Sequence, residues 1–255
     1  MKFGLLGKDI SYSKSPMIFK LIKEHTGIEL SYDLFDIEKD EINNYILLLK
    51  EGLLDGLQVT KPYKEVVMDF CDELTETAKK IGSVNTIYVR DQKVIGDNTD
   101  AYGFYQLLRH ASIILNHQHI CILGNGGAAK SVYHVCQNQL ITPTIFKRSN
   151  SLKESISPIE KNYSDDALLK CNIIIQATSH DFDEVFISRL KDQGCQPEVV
   201  IDLMYHQETN VMSLGKHAYD GKLMLIFQAI QSFELFLNQK IKHVEILVEK
   251  MKGVL

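Results

Sequence analysis

No stretch of this 255-residue chain approaches the ~20 consecutive apolar residues that a bilayer-spanning helix requires. The first apolar run, Phe3-Gly4-Leu5-Leu6, is too short for an export signal, and Asp9 follows it closely. An excess of basic residues is also missing. The 28 Lys and Arg face 33 Asp and Glu, a formal charge of −5, so there is no electrostatic footprint for nucleic acid or for an anionic membrane. The five cysteines (Cys71, Cys121, Cys136, Cys171 and Cys195) are odd in number, widely spaced and never arranged as C-x-x-C. They are expected to be buried, reduced thiols in a cytosol. Repeats and Gly/Ser linkers are absent as well. What is present is an ordinary globular composition, 45% hydrophobic and 24% charged, in a length that suits two domains. A soluble cytoplasmic protein is expected.

Short apolar runs alternate with helical patterns. Phe3-Gly4-Leu5-Leu6 suggests a buried strand, after which Ser15 is expected to cap a helix with Pro16 at its first position. Residues 30–37 alternate like a strand and precede a helix over 38–49. Gly56-Leu57-Gln58-Val59 is a third strand, and Pro62 is expected to start a helix toward Asp72. Strands separated by helices imply parallel pairing. The pattern changes at residues 84–96, where two β-rich runs flank Asp91-Gln92 and predict a hairpin. Asp100 is expected to cap a helix over 101–114, with Phe104, Leu107, Leu108 and Ala111 on one face. A second βα rhythm begins at His119, with buried strands at 120–123, 144–146, 172–175 and 199–201. Near the carboxyl terminus, Phe227, Ile230, Leu237, Ile241, Val244, Val248 and Met251 recur at helical spacing and predict one or two long helices. Two α/β units result.

Gly124-Asn125-Gly126-Gly127-Ala128-Ala129 directly follows an apolar run and opens a helical pattern, matching G-x-G-x-x-A. In that fingerprint the first Gly makes the turn, the second admits the pyrophosphate to backbone amides, and the small third residue packs helix on strand. The helix amino terminus adds unpaired N–H groups and partial positive charge. About 20 residues on, NAD sites carry an acid for the ribose. This chain has Phe146-Lys147-Arg148-Ser149 there, with Lys153 close by and no acid before Glu154. A guanidinium binds a 2′-phosphate with forked hydrogen bonds, which favours NADP.

Polar clusters fall where strands hand over to helices: Ser11-Tyr12-Ser13-Lys14-Ser15-Pro16, Thr60-Lys61-Pro62-Tyr63-Lys64 and Asn98-Thr99-Asp100. Ligands of parallel α/β sheets gather at the carboxyl ends of strands, so these clusters are expected to converge. A hydroxyl-rich site suits a small polyhydroxylated ligand. Lys64 and Asp100 are candidates for an acid/base pair; taken singly, each is an ordinary surface lysine or helix cap.

Together these segments resemble the ordered motifs of the shikimate dehydrogenase family. To the clusters above are added Val59 before Thr60, Gly82-Ser83-Val84-Asn85-Thr86, Gly96-Asp97 before Asn98, Asp202-Leu203-Met204-Tyr205 and Met224-Leu225-Ile226-Phe227-Gln228, over nearly the whole chain. The resemblance implies reversible NADPH-dependent reduction of 3-dehydroshikimate to shikimate, on the route to aromatic amino acids. It implies a three-layer α/β substrate domain (1–100 and 226–255), a Rossmann-type NADP-binding domain (101–225), and a carboxyl-terminal helix that returns to the first domain. Lys64 and Asp100 match the catalytic pair. Ser13 and Ser15 match the substrate-carboxylate contacts, while Thr60, Asn85, Tyr205 and Gln228 match those that hold the ring and its hydroxyls. Gly124, Asn125, Gly126, Gly127, Ala128, Lys147, Arg148, Ser149, Lys153 and Thr178 fall to the cofactor. A monomer or homodimer is expected, with a small molecule as its only partner.

Some positions depart from the family. Gln58 stands where Asn is usual, Lys147 replaces Asn, Gln176, Asp181 and Phe182 replace the Asn, Gly and Met of the Asn-Ala-Thr-Ser-x-Gly-Met loop, and Leu223 replaces Gly. They leave open a paralogue acting on quinate, or a nucleotide-binding regulator without turnover. No metal is expected, because His117-x-His119 has no third ligand at a recognisable spacing.

Overall fold

The computed structural model describes residues 1–147, 155–205 and 207–255. In chain order the elements are β1 (Lys2–Gly7), α1 (Ser15–Thr26), β2 (Ser31–Asp36), α2 (Ile42–Lys50), β3 (Gly56–Val59), β4 (Glu73–Leu74), α3 (Glu76–Ile81), β5 (Thr86–Arg90), β6 (Lys93–Asp97) and α4 (Asp100–His110). There follow β7 (Ile120–Leu123), α5 (Gly127–Asn138), β8 (Thr144–Lys147), β9 (Glu160–Asn162), β10 (Ile173–Gln176), α6 (Glu184–Asp192), β11 (Val199–Asp202), β12 (His217–Asp220), α7 (Lys222–Leu237) and α8 (Val244–Lys252). The chain divides into two compact units, one of Met1–Gly103 with Leu225–Leu255, the other of Phe104–Met224.

The first unit carries a mixed sheet in the order β2-β1-β3-β5-β6-β4. β1 pairs in parallel with β2 and β3, and the predicted hairpin β5–β6 runs antiparallel. Asp91 and Gln92 take φ of 51° and 63°. A two-residue hairpin needs left-handed backbone at both central positions, and the strand pairing holds these side chains there although neither is glycine. Helix α7 belongs to this sheet. Phe3 stacks on Phe236 at 5.0 Å and meets Phe233 edge-on at 5.7 Å. Gly56 permits that approach, because a Cβ there would stand 2.4 Å from the Phe236 ring. Fully buried Phe3, Phe19 and Phe233 each contribute about 1.5–3 kcal/mol of burial, which sets α7 against the strands that carry the polar clusters.

The second unit is a parallel sheet in the order β12-β11-β10-β7-β8-β9. Numbered from β7 and read from the other edge, this is the 3-2-1-4-5-6 order of the doubly wound dinucleotide fold, with its switch point between β7 and β10. Its central strands are buried on both faces, as in Ile120–Leu123 and Ile173–Gln176.

Five local expectations are corrected. Ser15 is the first helical residue of α1 and not its cap; Ser13 Oγ accepts from Ser15 N at 3.2 Å. The segment after Pro62 makes only a 3₁₀ turn, Val66–Phe70, because the Lys64 carbonyl that a helix would use accepts from Val84 N at 2.7 Å. Helix 38–49 starts as a 3₁₀ turn at Lys39–Glu41 and becomes α-helical at Ile42. Helix α4 stops at His110, where Ser112 turns to φ 53°. Finally, Cys121 and Cys171 form a disulfide, their Cα atoms 5.9 Å apart, which leaves Cys71, Cys136 and Cys195 as thiols. Fifty residues separate that pair in sequence, so only the pairing of β7 with β10 brings them together. Burial pushes the thiols of Cys71 and Cys136 up to about 12. Among the described residues no helix is long and apolar enough to cross a membrane, and no group of three or more His, Cys, Asp or Glu is placed to hold a metal ion.

Candidate active site

One edge of the first sheet collects the polar clusters. β1 and β3 are parallel, so the loop 8–14 and Thr60 leave from the same side. β5 is antiparallel to β3, and β6 to β5, which brings the start of β5 and the end of β6 to that side. Val59 N donates to Asn85 O at 2.8 Å and Asn85 N to Asp97 O at 3.0 Å. Strand pairing alone therefore sets Thr60, Asn85 and residues 98–100 side by side.

At this edge the Lys64 ammonium lies 2.5 Å from Asp100 Oδ2, with side-chain exposures of 20% and 8%. Asp100 Oδ1 accepts from Asn85 Nδ2 at 2.8 Å. Asp100 is the first residue of α4, where the helix dipole favours a carboxylate. It was expected to cap that helix. The Asp100 N–H is met instead by Asn98, whose Oδ1 accepts from it at 3.1 Å and whose Nδ2 donates to Ser83 O at 2.9 Å. The Asp100 side chain is thus released to face Lys64.

Asn85 is the hub. Its Oδ1 accepts from Thr99 N at 2.8 Å and from Thr86 Oγ1 at 2.9 Å; of the two Nδ2 hydrogens one goes to Asp100, and the other has Thr99 Oγ1 at 3.0 Å and Gln228 Oε1 at 3.3 Å within reach. Gln228 comes from α7, as do Ser232 and its bonds to Thr86 and Thr99 at 2.8 and 3.0 Å. Lys64, Asp100, Asn85 and Gln228 are therefore one network. Ser13 and Ser15 stand apart from it at the start of α1, which has no acidic residue in its first turn. Their loop is fastened by the Asp36 carboxylate, which accepts from Asp9 N at 3.0 Å and Ile10 N at 3.3 Å. Two hydroxyls at a helix amino terminus can receive a carboxylate. Tyr205 belongs to the second unit.

Sequence reading missed Ser232 and Tyr32, whose OH donates to Gln58 Oε1 at 2.6 Å. A signal existed for Ser232: it lies four residues beyond Gln228, on the same face of α7, among the buried Ala229, Ile230 and Phe233. A lone serine in a buried stripe implies polar partners.

In the second unit the glycine turn sits at the sheet's switch point. Gly124 has φ +109°, and a Cβ there would stand 3.1 Å from Ala177 O. Gly126 caps α5 with no side-chain bond, and the first turn, with Gly127, Ala128 and Ala129, has no acid. Amides of that turn lack helical partners, so the cradle with Asn125 fits a pyrophosphate. Thr178 follows β10, its Oγ1 donating to His180 O at 2.6 Å. Lys147 is paired with Glu160, whose carboxyl is opposed by burial but still lies below the usual range because Lys147 and Ile156 N hydrogen-bond to it. Arg148, Ser149 and Lys153 lie outside the described residues.

The divergent loop is tied by its own substitutions. Gln176 is fully buried, donates to His180 O at 3.0 Å and accepts from Thr178 N at 3.2 Å. The Asp181 carboxylate accepts from Asn210 N at 2.8 and 3.0 Å. Leu223 falls in the first turn of α7.

Residues 5–87 match the family model described as "Shikimate dehydrogenase substrate binding domain". A shikimate dehydrogenase (NADP(+)) of Clostridium beijerinckii is 33% identical over 92% of this chain and 91% of its own length. One from Oceanobacillus iheyensis is 31% identical over 99% of each. Among solved structures, shikimate dehydrogenase 1 of Peptoclostridium difficile superposes with a TM-score of 0.87 at 31% identity, covering 98% of this chain and 97% of that one.

Proposed function

Because the chain belongs to the shikimate dehydrogenase family, we propose that it catalyses the reversible NADPH-dependent reduction of 3-dehydroshikimate to shikimate. The observation that carries this reading is the Lys64–Asp100 contact at 2.5 Å, with Asn85 holding the second carboxylate oxygen.

NADPH, when bound, supplies the hydride that the carbonyl carbon accepts. The protein's part is the proton. As negative charge grows on the carbonyl oxygen, the Lys64 ammonium stabilises it and gives up a proton to make the hydroxyl. In the oxidative direction the neutral amine takes that proton back. Asp100 orients the lysine, and Asn85 orients Asp100. Ser13 and Ser15 hold the substrate carboxylate, and Thr60, Asn85 and Gln228 its ring oxygens. Gly124, Asn125, Gly126, Gly127 and Ala128 hold the pyrophosphate, with Thr178 beside the turn. Choice of NADP over NAD falls mainly to Arg148, flanked by Ser149 and Lys153, since the Lys147 charge is already met by Glu160. We place the enzyme in the cytoplasm as a monomer or homodimer with a small molecule as its partner.

The test is spectrophotometric. Purified protein with shikimate and NADP should generate reduced cofactor, more slowly with NAD and more slowly with quinate. Tight NADPH binding without turnover would instead assign a regulator of the same fold.

A further inference from the structure

The amide of Gln58 is turned wholly toward protein. It is 2% exposed. Its Nε2 donates to Gln228 Oε1 at 2.9 Å and to Ser232 Oγ at 3.2 Å, and its Oε1 accepts from Tyr32 OH at 2.6 Å. An amide nitrogen has two hydrogens, and both are committed. Gln58 thus has none for a ligand.

Its orientation is not arbitrary. Thr99 N is a backbone donor, so the Asn85 atom that meets it at 2.8 Å must be Oδ1. Asn85 Nδ2 then faces the Asp100 carboxylate and, at 3.3 Å, Gln228. Leu225 O is a backbone acceptor, so the Gln228 atom that meets it at 3.0 Å must be Nε2, which turns the Gln228 oxygen toward Asn85 and Gln58. Gln58 Nε2 can satisfy that oxygen only in its observed orientation, which leaves Gln58 Oε1 for Tyr32. Two backbone groups, Thr99 N and Leu225 O, thus fix the amides of Asn85 and Gln228, and Gln228 fixes that of Gln58.

We infer that Gln58 is a positioning residue for substrate recognition: it holds the Gln228 amide so that N–H, not C=O, meets the substrate. The site then selects an oxygen acceptor at that point, a hydroxyl or carbonyl, over a group that can only donate. The length of Gln58 matters, since its nitrogen reaches two residues one helical turn apart on α7. This inference rests on the reading of Gln228 as a substrate contact.

A double-mutant cycle tests it. Gln58→Met keeps length but cannot donate; Tyr32→Phe releases Gln58 Oε1 with little change in shape. Gln58→Met is expected to raise KM for shikimate about tenfold, the worth of one lost hydrogen bond, with kcat and KM for NADP within about twofold. Tyr32→Phe should move KM the same way by less. In a Gln228→Ala background both changes should add nothing, because the amide they orient is gone. Additive effects in that background, or an unmoved KM in both single variants, would overturn the inference. Wild-type protein without shikimate turnover would instead defeat the functional reading, so the two failures are distinguishable. If Gln58→Met does not fold, Tyr32→Phe carries the cycle alone.

Discussion

Lys64 and Asp100, 36 residues apart in sequence, meet ammonium to carboxylate at 2.5 Å. The pair sits where the turn just before the 3₁₀ segment Val66–Phe70 faces the first turn of α4, and both side chains are largely withdrawn from solvent. Lys64→Met removes the proton donor while keeping most of the side-chain volume. Turnover is expected to fall about 10²–10⁴-fold, with KM for shikimate within about tenfold of the parent. Steady-state rates of shikimate oxidation decide it, and a nearly normal kcat would dismiss the assigned role.

Asn85→Ala removes the hub. Thr99 N loses its acceptor in a buried setting, and Asp100 and Gln228 lose a shared donor. A stability loss of about 1–3 kcal/mol is expected from the orphaned groups. It should appear as a lower urea midpoint with an unchanged slope, together with a fall in kcat. Full stability with reduced turnover would mean that water replaces the amide.

Gly124→Ala forces a side chain onto a backbone at φ +109°, with Ala177 O 3.1 Å from the new Cβ. Strain of about 1–3 kcal/mol is expected at such a position. NADPH affinity, followed by cofactor fluorescence, should weaken while KM for shikimate is unmoved. An equal loss on both ligands would show that the damage is global.

Much of the second unit was legible because its inner strands are short apolar runs and its glycine turn opens helix α5. The edge strands β9 and β12 carry exposed polar residues and gave no such signal. In the first unit the hairpin was visible despite its unfavoured Asp91-Gln92 turn, whereas the helix expected after Pro62 lost to a long-range bond from Val84. No local pattern reveals that competition. The disulfide escaped for the same reason, since it depends on which strands become neighbours. At the site, Lys64, Asp100, Asn85 and Gln228 were found through motif order. Tyr32 and Ser232 belong to no motif: the strand order β2-β1-β3 brings Tyr32 to Gln58, and the packing of α7 on the sheet brings Ser232.

Cofactor choice separates two neighbouring basic residues. Lys147 already has a carboxylate partner in Glu160, so Lys147→Met should change the NADP-to-NAD preference by less than about threefold, the scale of a compensated surface charge. Arg148→Ala should raise KM for NADPH about tenfold or more, because a forked charge-assisted contact is lost, with little change for NADH. Kinetics with both cofactors make the comparison. Equal effects of Arg148→Ala on NADPH and NADH would remove the phosphate contact from the argument.

Asp202 gives a pH signature independent of the reaction. It is fully buried at the end of β11, and burial pushes its carboxyl up to about 6, against hydrogen bonds from Thr209 Oγ1 and Met204 N that pull it down. In the unfolded chain the group returns to about 3.9. Between these values the folded protein holds a proton that the unfolded chain has released. The stabilisation is therefore complete below about pH 4, is lost as pH rises through about 6, and changes no further above that. Its full size is at most about 3 kcal/mol, two pKa units' worth. Asp202→Asn keeps an acceptor for Met204 N, gives Thr209 Oγ1 a donor and removes the charge. Its melting temperature should exceed that of the parent near pH 8, and the gap should close as the pH falls toward about 4. A gap of the same size at both pH values would show that the carboxyl is not protonated in the folded state within that window.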